Sequence, residues 1–197
     1  NKGFKTSRLK TGTPPRLDFD SIDWEKTSFA YGDKQPTPFS CSTPLPFNPP
    51  NVACHIVNTN SMVHDVLQTN LSSSPIYSGI VQGLGPRYCP SIEDKIVRFS
   101  ERSSHQLFLE PEWENSKQIY LNGFSTSMPA SIQSAALKKI PAFKNIKIIR
   151  PGYAIEYDFF PTHQLKATLE TKDISGLYFA GQLNGTSGYE EAAAQGL

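Results

Sequence analysis

Cys89 stands between Tyr88 and Pro90 in GPRYCPSIEDK (85–95), directly ahead of what reads as a helix start. Ser91 followed by Asp94 fits a capping box with Asp in place of Glu, so the spacing starts the helix at Ile92. Cys89 then lies just outside a helix N-terminus. Free backbone N–H groups and the helix dipole favour a thiolate there, and the thiolate is the nucleophilic form of cysteine. Arg87, Lys95 and Arg98 add positive charge, while Glu93 and Asp94 oppose it. The competing reading is a buried structural cysteine, since a free thiol packs as a small hydrophobe.

A second candidate lies in LYFAGQLNGTSGYEEAAAQG (177–196). Gly181, Gly185 and Gly188 let the backbone approach a ligand closely. Glu190 and Glu191 fall in the first turn of a helix, and Ala192, Ala193 and Ala194 leave it a slim face for a sheet or a flat cofactor. An ordinary strand–turn–helix connection is the alternative. A third candidate is RLKTGTPPR (8–16), where Arg8, Lys10 and Arg16 with Thr11 and Thr13 either hold phosphates or form a solvated basic loop. Tyr153 and Tyr157 in RPGYAIEYDFF share a strand face near a pocket. His55, His64, His105 and His163 have no metal-ligand spacing, so no metal site is expected. No P-loop, GxGxxG or GxSxG is present.

These residues need elements to hold them. The 38% hydrophobic content, with 12 Phe and 8 Tyr, supports a real core in 197 residues. The net charge of +1 gives no global attraction to nucleic acid, so such contact requires a local patch. No apolar run approaches the roughly 18 residues of a membrane span. Three cysteines, Cys41, Cys54 and Cys89, argue for a reducing compartment rather than a disulfide scaffold. Residues 32–51 are proline-rich and read as an ordered loop or surface arm. VACHIV reads as a strand. SMVHDVLQTNL reads as a helix capped by Asn60 or Ser61, with Met62, Val63, Val66, Leu67 and Leu71 on one face. HQLFLEP and KQIYLNG read as paired strands, and Ser127 as the cap of a helix that turns Ile132, Ala135, Ala136 and Ile140 inward. IKIIR, YAIEYDF and GLYFAG read as strands. The last, with its glycine turn and helix, is how α/β folds present a helix N-terminus to a ligand.

Four stretches, RLKTGTPPR, GPRYCPSIEDKIVRF, RPGYAIEYDFF and LYFAGQLNGTSGYEEAAAQG, together resemble the MnmG (GidA) family, with FLEPE and NGFSTSMP in agreement. The resemblance covers nearly the whole chain, in order. It implies an FAD-dependent enzyme that modifies carbon 5 of the wobble uridine of tRNA. The implied fold is α/β: residues 1–16 leave a Rossmann-like FAD-binding domain, 17–144 form an inserted α+β, NAD-associated domain, and 145–197 return to the FAD domain. The chain lacks the family's N-terminal glycine-rich dinucleotide loop and reads as an internal piece of a longer protein.

By the same resemblance Cys89 is a catalytic residue. Gln182 contacts the flavin, with Gly181, Asn184 and Gly188 beside it. The segment Gly85, Pro86, Arg87, Tyr88, Cys89, Pro90, Ser91, Ile92, Glu93, Asp94, Lys95, Ile96, Val97, Arg98 and Phe99 binds NAD(H), and Arg8, Lys10 and Arg16 steady tRNA or phosphate. Methylenetetrahydrofolate is the implied carbon source, an MnmE-type GTPase the implied partner, and a homodimer the implied assembly. The Ser- and Asn-rich spacers suggest a mitochondrial, fungal-like member, with the bacterial cytoplasm as the alternative. Trp113 and Cys41 depart from the family pattern, and Cys41 is given no role. Two rival functions are a flavin oxidoreductase acting on a small metabolite and a non-catalytic RNA- or partner-binding module.

Overall fold

The computed structural model describes residues 3–50, 52–81 and 83–197. Its strands are β1 (Ser7–Gly12), β2 (Arg16–Asp18), β3 (Ser28–Ala30), β4 (Cys54–Asn58), β5 (Gln106–Pro111), β6 (Gln118–Asn122), β7 (Ile148–Arg150) and β8 (Ala154–Phe159). Its α-helices are α1 (Ser61–Thr69), α2 (Ile92–Arg98), α3 (Ala130–Leu137) and α4 (Tyr189–Gly196). Period-two alternation decides which way the central strands face. Leu107 and Leu109 of β5 and Ile119 and Leu121 of β6 are buried, as are Leu17 and Val57 on neighbouring strands. They form one core with Val63 and Leu67 of α1, Ile92 and Ile96 of α2, and Ala136 and Leu137 of α3.

The six-stranded sheet runs β3-β4-β5-β6-β2-β7 with antiparallel neighbours. Its other face carries Cys54, Ile56, Phe108, Glu110, Tyr120 and Asn122, all half-buried or exposed. That open face is what the site is built on. A separate ribbon pairs β1 with β8. The two units cross closely at Gly12, Thr13, Thr126 and Gly152. Thr126 N–H donates to the Thr13 carbonyl at 3.1 Å, and Thr13 N–H to the Tyr153 carbonyl at 2.9 Å. A Cβ on Gly12 would stand 2.6 Å from the Thr126 backbone, and one on Gly152 2.3 Å from the Thr13 carbonyl oxygen, so the crossing needs glycine at both places.

Several expectations are corrected. RLKTG is strand β1, not a loop. GLYFAG is not a strand here: among the described residues it makes one isolated bridge, Glu170 to Tyr178. Ser127 does not cap α3, whose N-cap is Pro129, because its amide and hydroxyl turn to Glu93 instead. Ala135 is exposed, and Gln133 points inward, where its amide serves Gly152 N–H and the Gly152 and Met128 carbonyls. Met62 is 53% exposed. Beyond these corrections, the six-stranded sheet runs on to Arg150, and the arm at 32–50 carries no strand or helix, as its prolines predict.

Candidate functional site

Helix α2 begins where the cap spacing places it. Ser91 Oγ accepts from Asp94 N–H at 3.1 Å, which seats Ile92 as the first helical residue. The reciprocal arm of the box is not used, since the Asp94 carboxylate accepts from the Tyr77 hydroxyl at 3.1 Å and faces Arg98 at 3.9 Å. The first helical amide is not free either: Ile92 N–H donates to the Ser125 carbonyl at 2.6 Å. Two of the first three amides of the helix are thus already taken, by Ser125 and Ser91. The neighbours of Cys89 come from elsewhere. Thr11 Oγ1 on β1 donates to the Cys89 carbonyl at 2.9 Å and lies 3.6 Å from Sγ.

Cys89 is exposed, which excludes the structural-cysteine reading, and it opens into a cleft of about 580 Å³. That volume is in the range of small-molecule sites. One wall is Thr11, Tyr157 and the Pro86–Cys89 turn. The open sheet face supplies Glu110, Tyr120 and Asn122, and Ser125 follows them. The third wall is the carboxyl-terminal turn: Gln182, Ser187 and Gly188, then Tyr189, Glu190 and Glu191 at the start of α4. Burial, joined by the Cys89 sulfur, pushes the Tyr157 phenol up, and burial also outweighs Arg16 in raising Tyr120. Both rings thus keep their protons and act as donors at neutral pH. The Lys95 ammonium donates to the Gly123 carbonyl at 2.9 Å; burial lowers its pKa and Cys89 opposes this.

The carboxyl-terminal turn divides its labour. Gln182 is exposed in the cleft, and Gly188 caps α4 there. Gly181 (φ +67°) and Gly185 (φ +85°) need the left-handed region that glycine tolerates. Asn184 is not turned to the cleft. It is buried and donates to the Phe179 carbonyl at 3.0 Å and to Gln195 Oε1 at 3.1 Å, so it braces the turn rather than meeting a ligand. Gly181 N–H also donates to Gln195 Oε1, at 2.9 Å.

Residues 85–99 do not present one surface. Pro86, Tyr88 and Cys89 line the large cleft, whereas Gly85, Asp94, Val97 and Arg98 line a second one of about 320 Å³ with Lys10 and Tyr77. Burial and Asp94 push the Tyr77 phenol up to about 12. Ser91, Ile92, Glu93 and Ile96 are buried beneath both clefts, Arg87 lies over the Tyr88 ring at 5.3 Å, and Phe99 is exposed. The basic trio is engaged by the chain itself. Arg8 pairs with Glu156 and Asp158, and Lys10 donates to the Ile76 and Val81 carbonyls. Arg16 bonds Glu112 at 2.8 Å and stacks on Tyr120. Tyr153 faces Arg150 rather than the cleft. Among the described residues, no group of His, Cys, Asp and Glu side chains is placed to hold a metal, and no helix is long and apolar enough to cross a membrane.

Glu93, in the first turn of α2, does more than oppose the local positive charge. It is fully buried. Its Oε1 accepts from Ser127 N–H and Thr126 Oγ1, both at 3.0 Å, and lies 3.3 Å from Ser127 Oγ and 3.4 Å from Ser74 Oγ. Its Oε2 has no partner among the described residues. Through it, the helix behind Cys89 is fastened to the 125–127 segment of the cleft wall. The matching signal in the sequence is the hydroxyl run Ser125-Thr126-Ser127.

The family model "Glucose inhibited division protein A" matches residues 1–197. "tRNA uridine 5-carboxymethylaminomethyl modification enzyme MnmG" of Chlorobium phaeobacteroides is 56% identical over 195 residues, covering 99% of this chain and 31% of the relative. The protein of the same name from Thermodesulfovibrio yellowstonii is also 56% identical over 195 residues. The chain thus spans about a third of the length of these relatives. Among solved structures, Aquifex aeolicus GidA in one crystal form superposes with a TM-score of 0.87 at 47% identity, covering 99% of this chain and 33% of that one. A second crystal form gives 0.84 at 45% identity. With sequence matched from end to end and the same mixed α/β arrangement of sheets and helices, the chain belongs to the glucose inhibited division protein A (GidA, or MnmG) family.

Proposed function

We propose that the full-length protein modifies carbon 5 of the wobble uridine of tRNA, with this chain supplying the cleft in which the base is held. The observation that carries the reading is that Cys89 and Gln182 open into the same cleft. The name printed for the relatives, tRNA uridine 5-carboxymethylaminomethyl modification enzyme, supports it. Carbon 5 of uracil becomes nucleophilic once a group adds at carbon 6, and an exposed thiol is a suitable group. Thr11 sets the position of the Cys89 loop, and the protonated Tyr120 and Tyr157 phenols supply donors to a carbonyl or developing oxyanion. The target base must leave its stack to enter.

The carboxyl-terminal turn fits a flavin edge: Gln182 is exposed in the cleft, and α4, which buries no residue, leaves its alanine face open. FAD bound there would supply hydride transfer. NAD(H) is assigned to the second cleft, where Gly85 leaves room: a Cβ on it would meet only Asp94 and Arg98, at 3.8 and 4.0 Å. Methylenetetrahydrofolate as carbon source, an MnmE-type GTPase partner, a homodimer and a mitochondrial location belong to the same proposal. A phosphate role for Arg8, Lys10 and Arg16 would first require breaking their internal bonds, so they are given structural work instead.

The test is mass spectrometry of wobble nucleosides from a deletion strain complemented with the full-length gene, wild type or Cys89→Ser. Wild type restores the modified uridine and the serine variant does not. Modification retained with serine rejects the role of Cys89.

A further inference from the structure

In the floor of the cleft two polar side chains meet across adjacent strands. The register sets Glu110 opposite Tyr120 and Phe108 opposite Asn122, so Glu110 and Asn122 are diagonal neighbours on the open sheet face. Asn122 Nδ2 donates to Glu110 Oε1 at 3.0 Å. The second N–H of the amide and the second carboxylate oxygen make no hydrogen bond to any described residue. A carboxylate oxygen and an amide N–H are thus left open side by side, together with Asn122 Oδ1, on strands rather than on a loop, with the rings of Tyr120 and Tyr157 in the same cleft. Strand-borne groups hold geometry better than loop-borne ones.

That pair matches one base edge. Uracil offers N3–H as a donor beside O4 as an acceptor, and cytosine offers the reverse, N3 as acceptor beside an N4 amino donor. Extruded bases are read by hydrogen bonds to this edge and by stacking on aromatic rings. We propose that Glu110 accepts the N3–H of the target uracil while Asn122 donates to its O4, making these two residues the specificity determinants for the base. The inference rests on the function proposed above and goes beyond it, to residues for which that reading gave no role. N3 and carbon 6 lie across the ring from each other. Holding the base by N3 therefore leaves its C5–C6 edge free in the cleft that also contains Cys89. Cytosine would set its N3 lone pair against a carboxylate and its amino group against an amide N–H. A site built this way rejects the wrong base strongly, because its polar groups are left unpaired.

The experiment uses the full-length protein with its flavin bound, and fluorescently labelled anticodon stem-loops carrying uridine or cytidine at the reacting position. Wild type binds the uridine loop at least about tenfold more tightly, and Glu110→Ala and Asn122→Ala each remove about tenfold of the preference. Both side chains sit on a solvent-facing surface, so the fold tolerates the changes. The double exchange Glu110→Gln with Asn122→Asp keeps one carboxylate and reverses donor and acceptor; it shifts the preference toward cytidine. Wild-type preference in both alanine variants, or continued uridine preference in the double exchange, overturns the proposal. So does a Glu110→Gln protein that loses small cationic ligands but discriminates bases as before, since the cleft would then be reading a cation. If wild type modifies uridine in cells yet shows no base preference in the loop, this inference fails alone. If it modifies nothing in cells, the functional reading fails with it.

Discussion

The Thr11 hydroxyl donates to the Cys89 carbonyl at 2.9 Å while standing 3.6 Å from its sulfur. Thr11 belongs to β1, which is paired with β8 along its whole length, so the cysteine loop takes its position from a rigid ribbon. Thr11→Val keeps the β-branched shape and removes the hydroxyl. One hydrogen bond is worth about 1 kcal/mol, so the expected loss in the rate of uridine modification is about fivefold. Thr11→Ser, which keeps the hydroxyl, stays near wild type. The site is partly exposed, and the unfolding midpoint moves little in either variant. A valine variant with the wild-type rate would show that the ribbon does not position the thiol.

Glu93 joins three segments through one oxygen atom. Glu93→Ala leaves the Ser127 amide and the Thr126 hydroxyl without their acceptor in a buried site, while the Ser127 hydroxyl keeps its 2.7 Å bond with Ser74. Buried donors left unpaired cost about 1–3 kcal/mol each, and relaxation recovers part of it, so a total loss near 3 kcal/mol is expected. Glu93→Gln keeps an acceptor in place and loses less, about 1 kcal/mol. Urea midpoints of the full-length proteins decide it. Equal midpoints for alanine and glutamine would mean that the convergence on Oε1 contributes nothing.

The elements legible beforehand are those whose cause is local. Asn60 caps α1 by accepting from Val63 N–H, Ser91 starts α2 at Ile92, and the alternation in β5 and β6 announces their pairing. The carboxyl-terminal segment around Phe179 misled because strand-like composition needs a partner strand, and the described residues offer it one bridge. Arg8, Lys10 and Arg16 looked available because their partners, Asp158, the Ile76 carbonyl and Glu112, are far away in sequence. The meeting of Cys89 with Gln182 was implied by resemblance, not by spacing. The Glu110–Asn122 pair was not anticipated, since a diagonal contact requires the register of two strands.

Two buried histidines, His64 and His105, make the stability of the fold depend on pH. Thr59 Oγ1 accepts from the His105 backbone N–H at 2.8 Å and shares a second hydrogen bond, also 2.8 Å, with His64 Nε2. His105 Nε2 is buried without a hydrogen-bond partner among the described residues, and the two rings lie 5.3 Å apart. Burial lowers the pKa of both. Asp65 opposes this at His64; at His105 the neighbouring His64, Lys95 and Arg102 reinforce it and Glu101 opposes it. The unfolded chain, with its histidines near 6.5, therefore takes up protons before the folded one does. Stability is complete above about pH 6.5 and is lost as pH falls from there toward the lower folded values, at up to about 1.4 kcal/mol per pH unit for each ring. Urea midpoints measured from pH 7.5 to 5.0 should fall accordingly. His105→Phe, which removes one titrating ring, should fall less steeply, while His64 and His55, whose pKa values burial also lowers, keep titrating. A wild-type midpoint that stays flat over this range would mean that these rings accept protons as easily in the fold as out of it.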